Sequence, residues 1–172
     1  MHEHGQRHRP DPQKSLVEFI VGDVHYAIDI AHVREIVNPL VVTPLPHTPM
    51  EVVGVADHRG EVVPIVDLRV RFGLPPADAT RTTKWILLNK PERSERPGSS
   101  EKTRGLIGLI VDAVTEVFGV TNEEFRRTPE HSRNTDVRGI SGVVTHNGML
   151  TFVLDNARIF EMVDSLSVPE FV

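Results

Sequence analysis

The residues of this chain with chemical potential are nine histidines, two aspartates at matching positions and a serine in a near-motif. His2, His4 and His8 crowd the first ten residues, and imidazole is a good transition-metal ligand. No fold places a carboxylate beside them, so a solvated tail is the expectation. His25, His32, His47, His58, His131 and His146 occur singly, without the HExxH or paired spacing of a metal centre. The absence of cysteine removes thiolate ligands, thiol nucleophiles and disulfides together. Ser141 lies in Gly139-Ile140-Ser141-Gly142, one residue short of a nucleophile elbow and inside a predicted strand. Asp57 and His58 are neighbours, but no nucleophile converges on them. Asp67 and Asp155 each end an apolar run. A two-carboxylate site is conceivable there, although such an Asp more often caps the turn or helix that follows. The expectation is no catalytic residue, no metal site and no cofactor. A hydrolase or metal enzyme using Asp67 and Asp155, or the histidines, is the distant alternative.

One polar pair stands apart. Glu35 lies in the stretch from Ala31 to Val37, whose apolar Val33, Ile36 and Val37 fall at helical spacing. Arg59 lies at the tip of a predicted hairpin. Brought together, Arg59 can grip the carboxylate through two parallel hydrogen bonds. Apart, they are two solvated charges.

The elements that must position these residues are mostly strands. Hydrophobic content is 39%, aromatic content only 5%, and the apolar residues are chiefly Val, Ile and Leu, which favours pleated structure. Apolar runs at 16–21 and 24–29 flank Gly22-Asp23. Those at 52–56 and 62–66 flank His58-Arg59-Gly60, and those at 137–145 and 149–154 flank His146-Asn147-Gly148. Further strands are predicted at 41–45, 85–89 and 106–111, and a C-terminal helix at 156–166. Gly54 to Asp67 (GVADHRGEVVPIVD) echoes Gly142 to Asp155 (GVVTHNGMLTFVLD), with Gly, Val, His, Gly and Asp recurring in place. A weaker echo precedes each, VREI at 33–36 and VTEV at 114–117. Two echoes in one order predict two subdomains of like topology, about 16–74 and 84–155. The expected class is all-β with short helices: two small β-barrels within 16–164 and a C-terminal helix.

Around this core, residues 1–15 read as a disordered tail, and 90–104 and 128–136 as polar loops. A formal charge of −5 and a pI near 6.0 argue against nucleic acid. The N-terminus lacks a secretory pattern, and no apolar run approaches the roughly 20 residues a membrane helix needs. A cytoplasmic protein without direct membrane insertion is expected.

Ile28-Asp29-Ile30, Val33-Arg34-Glu35-Ile36, Thr43-Pro44-Leu45-Pro46, Val53-Gly54-Val55, Arg59-Gly60 and the run Val62 to Arg69 strongly resemble CheW, the adaptor that couples bacterial chemoreceptors to the histidine kinase CheA. Gly108 to Val114 and Gly139-Ile140 extend the resemblance from about Leu16 to Val163. It implies two five-stranded SH3-like barrels on a shared core, a non-catalytic scaffold, and recruitment to receptor arrays. The implied partners are the regulatory domain of a CheA-type kinase and the cytoplasmic tip of a methyl-accepting chemoreceptor, which enters a groove between the barrels. Carried over by position, Glu35 and Arg59 stand beside that groove, and Val33, Ile36 and Val37 line it. Gly54, Asp57, His58 and Gly60 complete the expected site, while no residue is assigned to the kinase face. The family usually reads Val-Ile-Asn-Leu-Arg-Gly where this chain reads Val55-Ala56-Asp57-His58-Arg59-Gly60. His58 would make docking sensitive to pH near 6.5. The departure also keeps open a protein that binds the receptor without engaging the kinase, as competitor or spacer. A generic binder of Pro-rich peptides needs an aromatic groove, for which one Trp and one Tyr are poor equipment.

Overall fold

The structure, a computed structural model, describes residues 14–91, 105–128 and 139–164, with side chains described to 161. Residues 1–13 of the expected tail, most of the 90–104 loop, His131 with most of its polar segment, and the end of the C-terminal helix lie outside these residues. Lys14 and Ser15, read as tail, pair into the first strand.

The chain opens with a hairpin, β1 (Lys14–Val21) and β2 (Val24–Asp29), turned at Gly22-Asp23. Asp29 then accepts a hydrogen bond from the Ala31 N–H and caps a single 3₁₀ turn, Ile30–His32. From there the chain departs from the expected helix. Residues Val33–Val37 form strand β3, paired antiparallel with β6 (Lys84–Asn89). Three β-branched residues in five favour an extended backbone, and the β6 ladder outweighs a weak helical period. A bulge between Val33 and Glu35 opposes Val33 to Leu88 but Glu35 to Leu87. Val33 and Ile36 thereby share one face, and the three-residue spacing imitates a helix.

The next hairpin joins β4 (Val52–His58) and β5 (Glu61–Asp67), followed by the short helix α1 (Leu68–Arg71). After β6 come β7 (Leu106–Val111), β8 (Ala113–Val120) and the two-residue β9 (Arg126–Arg127). The last hairpin joins β10 (Ile140–His146) and β11 (Met149–Leu154), and helix α2 (Asn156–Asp164) follows. The expected strand at 41–45 contracts to one bridge, Thr43 to Val55. Pro44, Pro46 and Pro49 bring no N–H to a ladder.

Two sheets result, ordered β3-β6-β7-β5-β4 and β8-β1-β2-β11-β10-β9. They do not divide the chain at 74–84. The first sheet occupies 33–111 and is inserted between the opening hairpin and the rest of the second sheet. The physical reason is pairing: β2 runs parallel to β11, with Phe152 opposite Tyr26, while β7 runs parallel to β5, with Leu109 opposite Val66. The internal echo is exact in register. Gly54 opposes Ile65 as Gly142 opposes Val153, and His58 opposes Glu61 as His146 opposes Met149, with a bulge at the same place in each.

The largest core cluster lies between the sheets and draws Val17, Phe19, Tyr26 and Ile28 together with Ile86, Leu88, Ile107 and Leu109. Each sheet also curls around an interior of its own. Trp85, Leu87, Ile65, Val63, Ala56 and Leu106 fill the first, and Leu16, Ala27, Val120, Val144 and Val153 the second. Asp67 and Asp155 cap α1 and α2, accepting from the backbone N–H of Arg69 and Ala157 at 2.9 Å each. Each aspartate thus serves its own helix in its own sheet.

Candidate protein-docking site

The sequence Arg59-Gly60 places both turn residues in the left-handed region (φ 50° and 83°), the type I′ geometry that suits a two-residue hairpin. Asp57 Oδ1 accepts from the Gly60 N–H at 2.9 Å and holds the turn. The introduced negative charge therefore serves the hairpin backbone. The turn lifts Arg59 to 77% side-chain exposure while His58, still on β4, stays 11% exposed.

Glu35 reaches this tip from β3, the opposite edge of the same sheet. Its carboxylate is shared. Arg59 Nη2 donates to Oε1 at 3.1 Å, and His58 Nε2 meets Oε2 at 3.0 Å. The expected Glu35–Arg59 contact is present, but as one hydrogen bond instead of two parallel ones, because the imidazole occupies the second oxygen. The trio bridges the two edge strands where they lack a continuous backbone ladder.

Of the apolar residues expected beside it, only Ile36 is an exposed one, at 38%. Val33 packs against the central core and Val37 against the interior of the first sheet. They lie on opposite faces of β3, so they cannot line one groove together. Exposed apolar surface comes also from Val62, the cross-strand partner of Asp57, and from Val41. The open side of Gly54 is filled from within the fold. A Cβ there would lie 2.2 Å from the Thr43 carbonyl oxygen, so the glycine admits the 41–45 segment against β4.

The second hairpin repeats the trio. His146 Nε2 lies 2.7 Å from Glu116 Oε1, and Asn147 Nδ2 donates to the same oxygen at 3.1 Å. Glu116 and His146 are the echo counterparts of Glu35 and His58. Sequence reasoning put His58 in the site but missed its pairing with the glutamate, although the signal was present: both members recur together in the two echoes.

Residues 15–164 match the family described as CheW-like domain. The chain belongs to the CheW-like family. It is 30% identical over 152 residues to the probable chemotaxis protein CheW of Rhizobium etli, covering 88% of this chain and 90% of that protein. It is 40% identical over 118 residues to protein FrzA of Myxococcus xanthus, covering 69% of this chain and 61% of that one. Among solved structures, the scaffolding protein TtCheW of Thermoanaerobacter tengcongensis superposes with a TM-score of 0.69 at 26% identity, over 84% of this chain and 89% of that chain. The all-β, two-subdomain reading thus agrees with a CheW structure as well as with the sheets themselves.

Proposed function

We propose that this CheW-like protein is a non-catalytic scaffold that couples the cytoplasmic tip of a chemoreceptor to the regulatory domain of a CheA-type histidine kinase. The observation that carries the reading is the Glu35–His58–Arg59 trio at an exposed barrel end, flanked by the exposed Ile36 and Val62. A receptor tip is helical, and helix-in-groove docking combines apolar anchors with a polar rim that fixes orientation. Signal passes in such a scaffold as a difference in affinity between states of its partners. Work in the cytoplasm at receptor arrays follows from those partners. Among the described residues no helix is long and apolar enough to cross a membrane.

The test is a titration of the purified chain against a receptor-tip fragment and, separately, the kinase regulatory domain. Both should bind. Arg59→Ala and Glu35→Ala should each weaken the receptor arm about tenfold. Loss of neither arm in the variants would remove the trio from the site. The departure at Asp57-His58 favours one second reading, a receptor-binding competitor or spacer. That reading predicts a receptor arm of ordinary strength and no kinase arm.

A further inference from the structure

We propose that the second barrel holds a divalent transition-metal cation of the zinc class on Glu18, Glu116 and His146. Ligand atoms of these three side chains lie within 4.8 Å of one another, contributed by β1, β8 and β10. Glu18 is buried, at 4% exposure, and its Oε2 has no hydrogen-bond partner among the described residues. Its Oε1 is held by His25 Nδ1. Glu18 and Glu116 oppose each other directly in the β1–β8 register. Like charges so placed are destabilising, and a buried carboxylate without full partners is costly. A cation between them answers both costs.

The fold does not require this polarity. By register, Glu18 stands where the other barrel has Leu87, since each opposes the glutamate of its trio. Thr151 stands where that barrel has Val63, opposite Val144 and Ala56 respectively. His25, opposite Thr151 in the parallel pair, corresponds to Leu106. Leu87, Val63 and Leu106 form a dry apolar interior. In their place the second barrel carries a carboxylate, a fully buried hydroxyl that also lacks a partner among the described residues, and an imidazole.

The donor set suits a borderline cation. One imidazole nitrogen and two carboxylate oxygens are common zinc ligands, whereas calcium takes six or more oxygens. Bonds of about 2.0–2.2 Å would set the three ligand atoms roughly 3.5 Å apart, which widens the 2.7 Å contact of His146 with Glu116 and stays within the 4.8 Å that bounds all three. Two ligands are already oriented. The Phe118 ring stacks on His146 with centroids 3.7 Å apart and planes within 3°, and Asn147 holds Glu116. His25, gripping Glu18, is the outer partner that fixes a ligating carboxylate. Ligation displaces any proton carried by His146.

Zinc alone is the probe, titrated by calorimetry into the full chain carrying His2→Ala, His4→Ala and His8→Ala, so that tail imidazoles contribute nothing. One equivalent should bind, the midpoint of thermal unfolding should rise, and cobalt should give the visible absorption of a low-coordinate site. His146→Gln and Glu116→Gln, both on partly exposed side chains, should weaken binding roughly tenfold or more. Glu18→Leu, which copies the other barrel, should abolish it and leave the far-UV circular dichroism unchanged. No zinc binding by the tail-substituted chain would overturn the proposal, as would binding that survives His146→Gln and Glu116→Gln.

Discussion

At the scale of residues, the polar groups divide into those that serve the surface and those that pay a burial cost. Burial lifts the Asp67 carboxyl above its ordinary value of 3.8, and the charge of Asp112 adds to the rise. Hydrogen bonds from the backbone of Arg69 and Val70, and the Arg69 charge, work the other way. Folding therefore favours the protonated acid. Its contribution to stability is fully present below the ordinary carboxylate range and is lost as pH climbs through the raised value. Asp67→Asn keeps an oxygen to cap α1 but has no charge to bury. The stability difference, asparagine minus aspartate, should grow with pH from about 3 upward and level off above the raised value. Urea unfolding of both proteins across that range measures it, and parallel pH profiles would contradict it. Glu35→Ala and Arg59→Ala should behave differently. Arg59 is largely exposed, and such a pair adds under about 1 kcal/mol to stability, so lost docking in Arg59→Ala should accompany a near-normal unfolding midpoint. Glu35→Ala also strips the mostly buried His58 of its carboxylate, and should cost about 1–2 kcal/mol more.

At the scale of elements, the two hairpins are one design used twice, and their glycines show where it is least tolerant. A Cβ at Gly54 would meet the Thr43 carbonyl oxygen at 2.2 Å, and one at Gly142 the Arg126 carbonyl oxygen at 2.5 Å. Both contacts are with backbone, which cannot rotate aside. Gly54→Ala and Gly142→Ala should each cost about 2 kcal/mol or more, and denaturant midpoints shifted by much less would show that the neighbouring segments yield. These hairpins were the most legible part of the chain, because turn type, glycine position and strand period all sit within fourteen residues. The Asp67 and Asp155 caps were legible for the same reason. The stretch from Val33 to Val37 was not. Its bulge is set by pairing with Leu87 and Leu88, some fifty residues away, and nothing local distinguishes the shifted alternation from a helical period. Glu35 and Arg59 were found from sequence, but the division of the carboxylate between Arg59 and His58 depends on how far β3 stands from the hairpin tip.

At the scale of the whole molecule, neither barrel is independent. The core cluster between the sheets takes large side chains from both, and the first sheet sits within the sequence of the second. Calorimetry should record one cooperative unfolding transition. Phe19→Ala, in β1, should cost about 3–5 kcal/mol and shift Trp85 fluorescence, a signal from the other sheet, as much as the far-UV circular dichroism. Two resolved transitions, or a Trp85 signal that lags, would separate the barrels. This nesting was invisible in the sequence, because the opening hairpin carries no mark of which sheet it will join.

The same nesting sets an order of events during synthesis. The hairpin of β1 and β2 leaves the ribosome first, yet its neighbours on either side, β8 and β11, are made long after it. The inserted sheet has all its strands once Val111 has emerged and can begin to pair them meanwhile, although its share of the common core still waits for the other sheet. The earliest strands are therefore the last to have both edges covered. For most of translation the nascent chain presents two open, apolar strand edges, where a chaperone, or another nascent copy, would engage it.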